Sequence, residues 1–446
     1  MDKRALGRDL NRRVDAPRGQ GRATRTTRTM SLRPLPDDAI AVIGAGIIGC
    51  AIAQTLAARG RHVLLLDRVG PAIAGASFGN VGHIATEQVE TLPSKQLLLG
   101  FWRELFAFGG ALDIPLHRVM SLSPWLARFA RASFRQESNT RHLAPLVRDA
   151  ADSLEKLLGA IGRPDLIRRN GHYAVWLGER ASERAAREAT NAARLDVRTA
   201  PAPVELLRTI AAAAHSASAA SLWFPDSAHV LDPAEVARAL ATDAIKRGAI
   251  VERAEVRQLQ AVGNTIDITT DVGRFSVPTV VVCAGVWSTT LLAPFRLRAP
   301  LEAERGYHIE LSDHPPLADA PLIYADQKVA VTPMAGRLRA SSYLEFAGLE
   351  APADPRKPAR LRARLQTLGY RCASDGPSWM GARPTLPDYL PGIGRLEGTP
   401  NLFYAVGHQH LGLTLAAPTA ELIGDLVTGH KPRFDISALD LRRFGA

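Results

Sequence analysis

The sequence predicts an α/β fold built on a Rossmann-like parallel sheet, with a second domain inserted beside it. Three observations carry that reading. At 446 residues the chain is too long for one simple core, which implies two intimately connected domains. Ala39-Ile40-Ala41-Val42-Ile43 is a short apolar run suited to a strand buried on both faces. The glycine-rich hexapeptide Gly44-Ala45-Gly46-Ile47-Ile48-Gly49 follows it at once.

The elements follow in order. Residues 1–36 hold ten Lys/Arg and three Asp, a net of +7 out of the chain's +11. This segment lacks apolar periodicity and a secretory apolar core, so residues 1–37 are expected to be a disordered basic extension. Met30 is an alternative start. With only +4 left for the rest, the charge does not describe a nucleic-acid surface.

Ala39 to Ala58 is a long uncharged apolar stretch, but Gly44-Ala45-Gly46 would break a membrane-spanning helix near its middle. It reads instead as strand, tight turn and alanine-rich helix, stopped by Arg59-Gly60. Arg61 to Leu66 is a second strand ending in Asp67. Gly44 permits the turn, Gly46 lets a pyrophosphate approach the backbone, and Gly49 lets helix and strand pack closely. The helix start offers free N–H groups to phosphates, and Asp67 can accept from a ribose diol. An acid there argues against a 2′-phosphate, but the motif alone does not separate NAD from FAD.

Cys50, Cys283 and Cys372 are far apart and form no CxxC. An iron–sulfur cluster, a zinc site, a redox dithiol and a disulfide framework are therefore not expected, and a reducing compartment is. Cys50 and Cys283 look buried.

Beyond Asp67-Arg68 lies Ala76-Ser77-Phe78-Gly79-Asn80-Val81-Gly82-His83-Ile84, a Gly- and Ser-rich loop. Val251 to Val256, Thr279 to Ser288 (TVVVCAGVWS), Gly381-Ala382-Arg383-Pro384 and Asn401 to Gly424 are further landmarks. Together they resemble the D-amino acid oxidase superfamily, and more narrowly the bacterial D-amino acid dehydrogenases and D-hydroxyproline dehydrogenases. The resemblance covers most of residues 38–430.

It implies non-covalent FAD. The cofactor contacts it implies fall on Gly44, Ala45, Gly46, Ile48, Gly49, Asp67, Arg68, Ser77, Asn80, Gly82, His83, Val256, Ala284, Gly285, Trp287, Gly381, Gly407, Leu411, Gly412 and Thr414. It divides the chain into an FAD-binding domain (38–90, 223–297, 379–446) and a mixed-sheet α+β substrate domain (91–222, 298–378). In the latter, Ala144 to Leu158 and Glu179 to Arg194 read as helices and His172 to Leu177 as a strand. The alanine-rich Ala211 to Ala220 reads as a helix end or loop.

Amine oxidation by flavin needs a substrate held with its α-hydrogen about 3–3.5 Å from the acceptor atom. It needs neither a metal nor a side-chain nucleophile, and no Ser-His-Asp or metal-spaced pattern is visible. An amino-acid carboxylate is best gripped by a guanidinium fork, and the resemblance places that role on Arg383. The alternative is an arginine paired with Asp388. Tyr307, Tyr324 and Tyr343 are candidates for a second contact, Tyr324 first. His408 and His410 would share one side of an extended loop, with Gln409 on the other, unless a turn separates them. His410 is the expected site-facing residue. Backbone N–H groups of Leu411, Gly412 and Leu413 could hold the flavin edge.

The expected activity is oxidative deamination of a D-amino acid, cyclic ones such as D-proline or hydroxy-D-proline included. Electrons would pass to a quinone or carrier. A glycine/sarcosine-type oxidase using oxygen and a flavin subunit of a larger electron-transfer complex are the alternatives. A cytoplasmic setting is expected, with peripheral contact on the inner membrane left open and no nucleic-acid partner.

Overall fold

The apolar runs at 39–43 and 63–66 become neighbouring parallel strands. The computed structural model describes residues 35–312, 314–373 and 376–445, so most of the basic extension expected over 1–37 lies outside the described residues. Ile40–Ile43 sits inside a six-stranded sheet. The order is Ile250–Arg253, Val63–Asp67, Ile40–Ile43, Thr279–Val282, Leu402–Val406, Gly392–Arg395. The first five strands run parallel and the last closes the edge antiparallel.

These strands are apolar throughout because both faces are covered. Val42, Leu65 and Val281 face one core, which includes the helices Ile47–Ala58, Pro233–Lys246 and Ala416–Thr428. Ala41, Leu64 and Val280 face the other, under the antiparallel meander of Val256–Val262, Thr265–Thr270 and Arg274–Val277. Each fully buried leucine here contributes roughly 1.5–3 kcal/mol. Asp232 caps the helix Pro233–Lys246 by accepting from the Ala234 and Glu235 amides.

The stretch Ala39 to Ala58 resolves into strand, turn and helix. Among the described residues, no helix is long and apolar enough to cross a membrane.

A second, nine-stranded mixed sheet stands against the first. Its path runs Ser378–Thr385, Glu302–Leu311, Arg337–Glu345, Val329–Met334, Leu322–Tyr324, His172–Leu177, Ala219–Phe224, Ala200–Pro201, with Leu112–Asp113 pairing to Arg337–Glu345. Helices cover 136–148, 150–160 and 181–194. The alanine-rich segment begins as the end of helix Val204–Ala213 and finishes in strand Ala219–Phe224. The boundary expected at 379 falls inside Ser378–Thr385, which pairs along its length with Glu302–Ile309 of the mixed sheet. That strand therefore carries the Gly381–Pro384 segment to the cleft from the mixed-sheet side.

Candidate active site

A cavity of about 360 Å³ runs between the two sheets, from the glycine turn after Ile43 to the segment after Val406. Local sequence explains its nucleotide end. Gly44 has φ +105°, and a Cβ there would meet the Cys283 carbonyl oxygen at 2.5 Å. Gly49 has no room either, since a Cβ would lie 1.8 Å from the Gly44 oxygen. Gly49 thus sets the helix-to-strand approach and does not line the cavity.

The helix start is capped from a distance: Ile47 N–H donates to Ser77 Oγ at 2.9 Å. The Asp67 carboxylate accepts from three backbone amides, Ala45 at 2.8 Å and Val69 and Gly70 at 2.9 Å each. It shapes the two loops it joins while also facing the cavity. The Arg68 guanidinium lies 3.7 Å over the Trp287 ring. Cys50 and Cys283 are buried, and burial pushes both thiols up, so they stay protonated.

The loop of residues 75–84 is fastened by the mixed sheet. Arg339 Nη1 donates to the carbonyls of Asn80 (2.6 Å) and Phe78 (3.3 Å), and His308 Nδ1 lies 2.9 Å from the Gly79 oxygen. Trp379 lies against Gly79 and Gly381, where added Cβ atoms would fall 2.2 and 1.8 Å from ring carbons. These two glycines therefore seat the indole, which stacks on His308. Gly82 pairs with Val230 through its carbonyl, and a Cβ there would crowd the Val230 oxygen at 2.8 Å.

The opposite wall carries the charge. Arg383 Nη1 donates to Glu304 Oε1 at 3.0 Å, with side chains 21% and 0% exposed. Glu304 Oε2 also accepts from the hydroxyls of Tyr389 (2.8 Å) and Thr385 (3.3 Å). The guanidinium lies over Gly306, where a Cβ would meet Nη2 at 2.2 Å. Asp388 pairs with Arg443 instead, at 2.7 Å.

Past Val406 the chain turns rather than extending, with Gln409 at φ +46° and a short helical turn over Gln409–Leu411. The turn separates the two histidines. His408 Nε2 lies 3.1 Å from Thr419 Oγ1, and His410 Nε2 lies 2.7 Å from Gln88 Oε1. Burial lowers both, to about 3 and about 4, so both imidazoles are neutral.

Most residues singled out from sequence meet in this cleft. Gly44, Ala45, Gly46, Ile48, Asp67, Arg68, Ser77, Asn80, His83, Val256, Ala284, Gly285, Trp287, Gly381 and Gly412 line it, as do Arg383 and His410. Others stand behind it. Gly407 backs onto Leu386, and the Leu411 N–H is already taken by the His408 carbonyl at 2.9 Å. Thr414 Oγ1 accepts from the Ala85 amide at 3.1 Å. Tyr324 is buried in the mixed-sheet core with its hydroxyl 3.0 Å from that of Tyr370, and its neighbour Ile323 faces the cavity. Sequence reasoning missed Gln88, Glu304 as the Arg383 partner, Gly306 as its seat, and Trp379. Glu304 and Gly306 stand in the segment Glu304 to His308, which resembles the dehydrogenase branch, but nothing local in the sequence marks their contact with Arg383.

The glycine-backed turn, the helix start and the long groove between the sheets suit an extended dinucleotide such as FAD. Comparison with known proteins agrees. Residues 39–426 match the DAO family model, described as FAD dependent oxidoreductase. A D-amino-acid oxidase of Bradyrhizobium diazoefficiens is 29% identical over 423 residues, covering 91% of this chain and 98% of that protein. A D-amino acid dehydrogenase of Cereibacter sphaeroides is 27% identical over 435 residues, covering 91% and 95%. In structure, the chain is similar to glycine oxidase from Geobacillus kaustophilus (TM-score 0.70, 21% identity, 91% and 98% covered). It is also similar to L-proline dehydrogenase from P. horikoshii (TM-score 0.67, 18% identity, 92% and 98% covered).

Proposed function

The chain belongs to the DAO family of FAD dependent oxidoreductases, and from that premise we propose that it oxidises a D-amino acid to the imino acid. Cyclic substrates such as D-proline or hydroxy-D-proline are included, and the electrons go to a quinone or carrier. The observation that carries this reading is Arg383, a guanidinium open to the cleft and backed by the fully buried Glu304. The names of the curated relatives, D-amino-acid oxidase and D-amino acid dehydrogenase, support the substrate class.

FAD supplies the two-electron acceptor when bound. The residues in place to hold it are Gly44 to Ile48, Asp67, Ser77, Val256, Ala284 to Trp287 and Gly412. The protein's own side chains do the rest. Arg383 binds the substrate carboxylate through its free N–H edge. Glu304 fixes the guanidinium plane with the help of Tyr389 and Thr385. The neutral imidazoles of His408 and His410 add no second positive charge, so the carboxylate has one anchor. His410 is oriented by Gln88 toward the same space. Ile323, Val406 and Leu413 supply apolar wall that excludes water. The substrate loses its α-hydrogen with two electrons and one N–H proton. Water then converts an acyclic imine to a 2-oxo acid and ammonia, while a cyclic imine opens to an amino-2-oxo acid and releases no ammonia.

An exposed apolar face supports a membrane-borne acceptor. Leu99 and Trp102 stand out from the helix Lys95–Glu104, which has no buried residue, and Leu116 and Met120 are almost fully exposed nearby. Lys95 and Arg103 on the same helix suit an anionic lipid surface.

The test is anaerobic mixing of the flavin-loaded protein with D-amino acids, D-proline, L-amino acids, glycine and sarcosine, read at the flavin band. Bleaching by D-amino acids, slow reoxidation by oxygen and fast reoxidation by a quinone are expected. Bleaching by glycine and sarcosine alone, or by no amine, overturns the reading.

A further inference from the structure

Three largely buried side chains converge beside the cleft loop, two of them four residues apart and the third from a distant strand. His83 lies on the strand His83–Ile84, Glu87 on the turn that follows, and His172 opens a strand of the mixed sheet. His83 Nε2 and His172 Nδ1 each lie 3.8 Å from Glu87 Oε2. All three atoms fall within 4.8 Å of one another.

Separations of this size are too long for direct hydrogen bonds. His83 Nε2 and Glu87 Oε2 are both buried and have no partner. Protein alone shields these two atoms, while the rest of the His83 side chain lines the cleft. Leaving a buried polar atom unsatisfied costs about 1–3 kcal/mol. A point equidistant from three atoms so spaced lies on the order of 2.2–2.5 Å from each, against about 2.0–2.2 Å for zinc–nitrogen and zinc–oxygen bonds. A contraction of a few tenths of an ångström completes the fit.

We propose that His83, Glu87 and His172 form a site for one divalent first-row metal ion of the zinc class, tying the cleft loop to the mixed sheet. Two imidazoles and one carboxylate are a borderline donor set that selects zinc, cobalt or nickel over calcium and magnesium. The rings are already set. His172 stacks on Phe224 with centroids 4.6 Å apart and meets His83 edge-on at 4.6 Å.

In the metal-free state His172 Nδ1 lies 2.8 Å from Ser227 Oγ, and that hydroxyl donates to the Phe224 carbonyl. Binding through Nδ1 moves that ring's proton to Nε2, and binding through Oε2 releases the proton that burial favours on the Glu87 carboxyl. The other cluster of candidate ligands, Asp113, Glu345 and Asp354, already surrounds a cation: Lys357 Nζ sits 3.3 Å from Glu345 and 3.1 Å from Asp354.

The test uses untagged, flavin-loaded full-length protein stripped with a chelator, then titrated with zinc chloride by calorimetry and assayed for metal content. Cobalt(II) serves as a second probe through its visible bands. One equivalent per chain, a raised melting temperature and proton release are expected. Glu87→Gln, which mimics the neutral acid in shape, and His172→Asn should both lose the equivalent while keeping flavin absorbance and the metal-free melting temperature. No bound equivalent in the wild-type protein, meaning a bridging water only, overturns the proposal. So does undiminished binding by Glu87→Gln.

Discussion

Arg383 and Glu304 are direct partners across adjacent antiparallel strands, and Nη1 lies 3.0 Å from Oε1. The strand pairing itself aims the guanidinium, and the carboxylate leaves one N–H edge for a ligand. Arg383→Leu should raise KM about 100-fold or more, on the order of 3 kcal/mol, with flavin content unchanged. The single variant also strands Glu304 in the interior. Arg383→Leu/Glu304→Gln should therefore regain melting temperature but not KM. Steady-state kinetics beside thermal melts decide this, and an unchanged KM removes Arg383 from carboxylate binding.

Gly306 is the seat of that guanidinium, with no space for even a methyl group. Gly306→Ala should push Arg383 aside, raising KM at least about tenfold, or roughly 1.4 kcal/mol, while the visible spectrum stays that of bound flavin. An equal KM in both proteins would show that the arginine is free to move.

The Tyr324 hydroxyl meets that of Tyr370, away from the cleft. Tyr324→Phe should leave KM within about twofold and cost about 1 kcal/mol of stability. A large KM effect would mean that the hydroxyl reaches the substrate.

Gly49→Ala places a methyl group 1.8 Å from the Gly44 oxygen. The nucleotide turn and its helix cannot both stay in place, so the purified variant should be colourless or insoluble. Stoichiometric yellow protein is the contrary result.

Stability should fall in acid. His408 is held neutral, with its value lowered to about 3 against 6.5 for the free side chain. Between those values the unfolded chain binds a proton that the folded one does not. The stabilisation is therefore present above about pH 6.5 and lost as pH falls toward 3. Glu87, raised to about 8 from 4.5, acts in the opposite sense: its contribution is present below 4.5 and lost as pH rises through about 8. Melts should rise from about pH 3 to 4.5, stay level to about 6.5 and fall toward 8, and His408→Asn should remove the rise on the acid side.

Sequence made the nucleotide end legible because its signals are local: strand, glycines, helix and acid stand within thirty residues. The carboxylate arm was half legible. Arg383 stood in a recognisable segment, but Glu304 became its partner through strand register, which composition does not encode. Tyr324 shows the same limit. Successive residues of a strand face opposite ways, and here the inward place fell to Ile323. The grouping of His83 and Glu87 with His172 escaped because no fixed spacing joins residues brought together by separate sheets.

The cleft is lined by both Gly44 and Gly412, so its walls come from segments far apart in the chain. During synthesis the ribosome must therefore pass Gly412, 368 residues after Gly44, before flavin has a complete berth. Nascent chains stalled short of Gly412 should emerge without colour, because one wall of the berth has not yet been made.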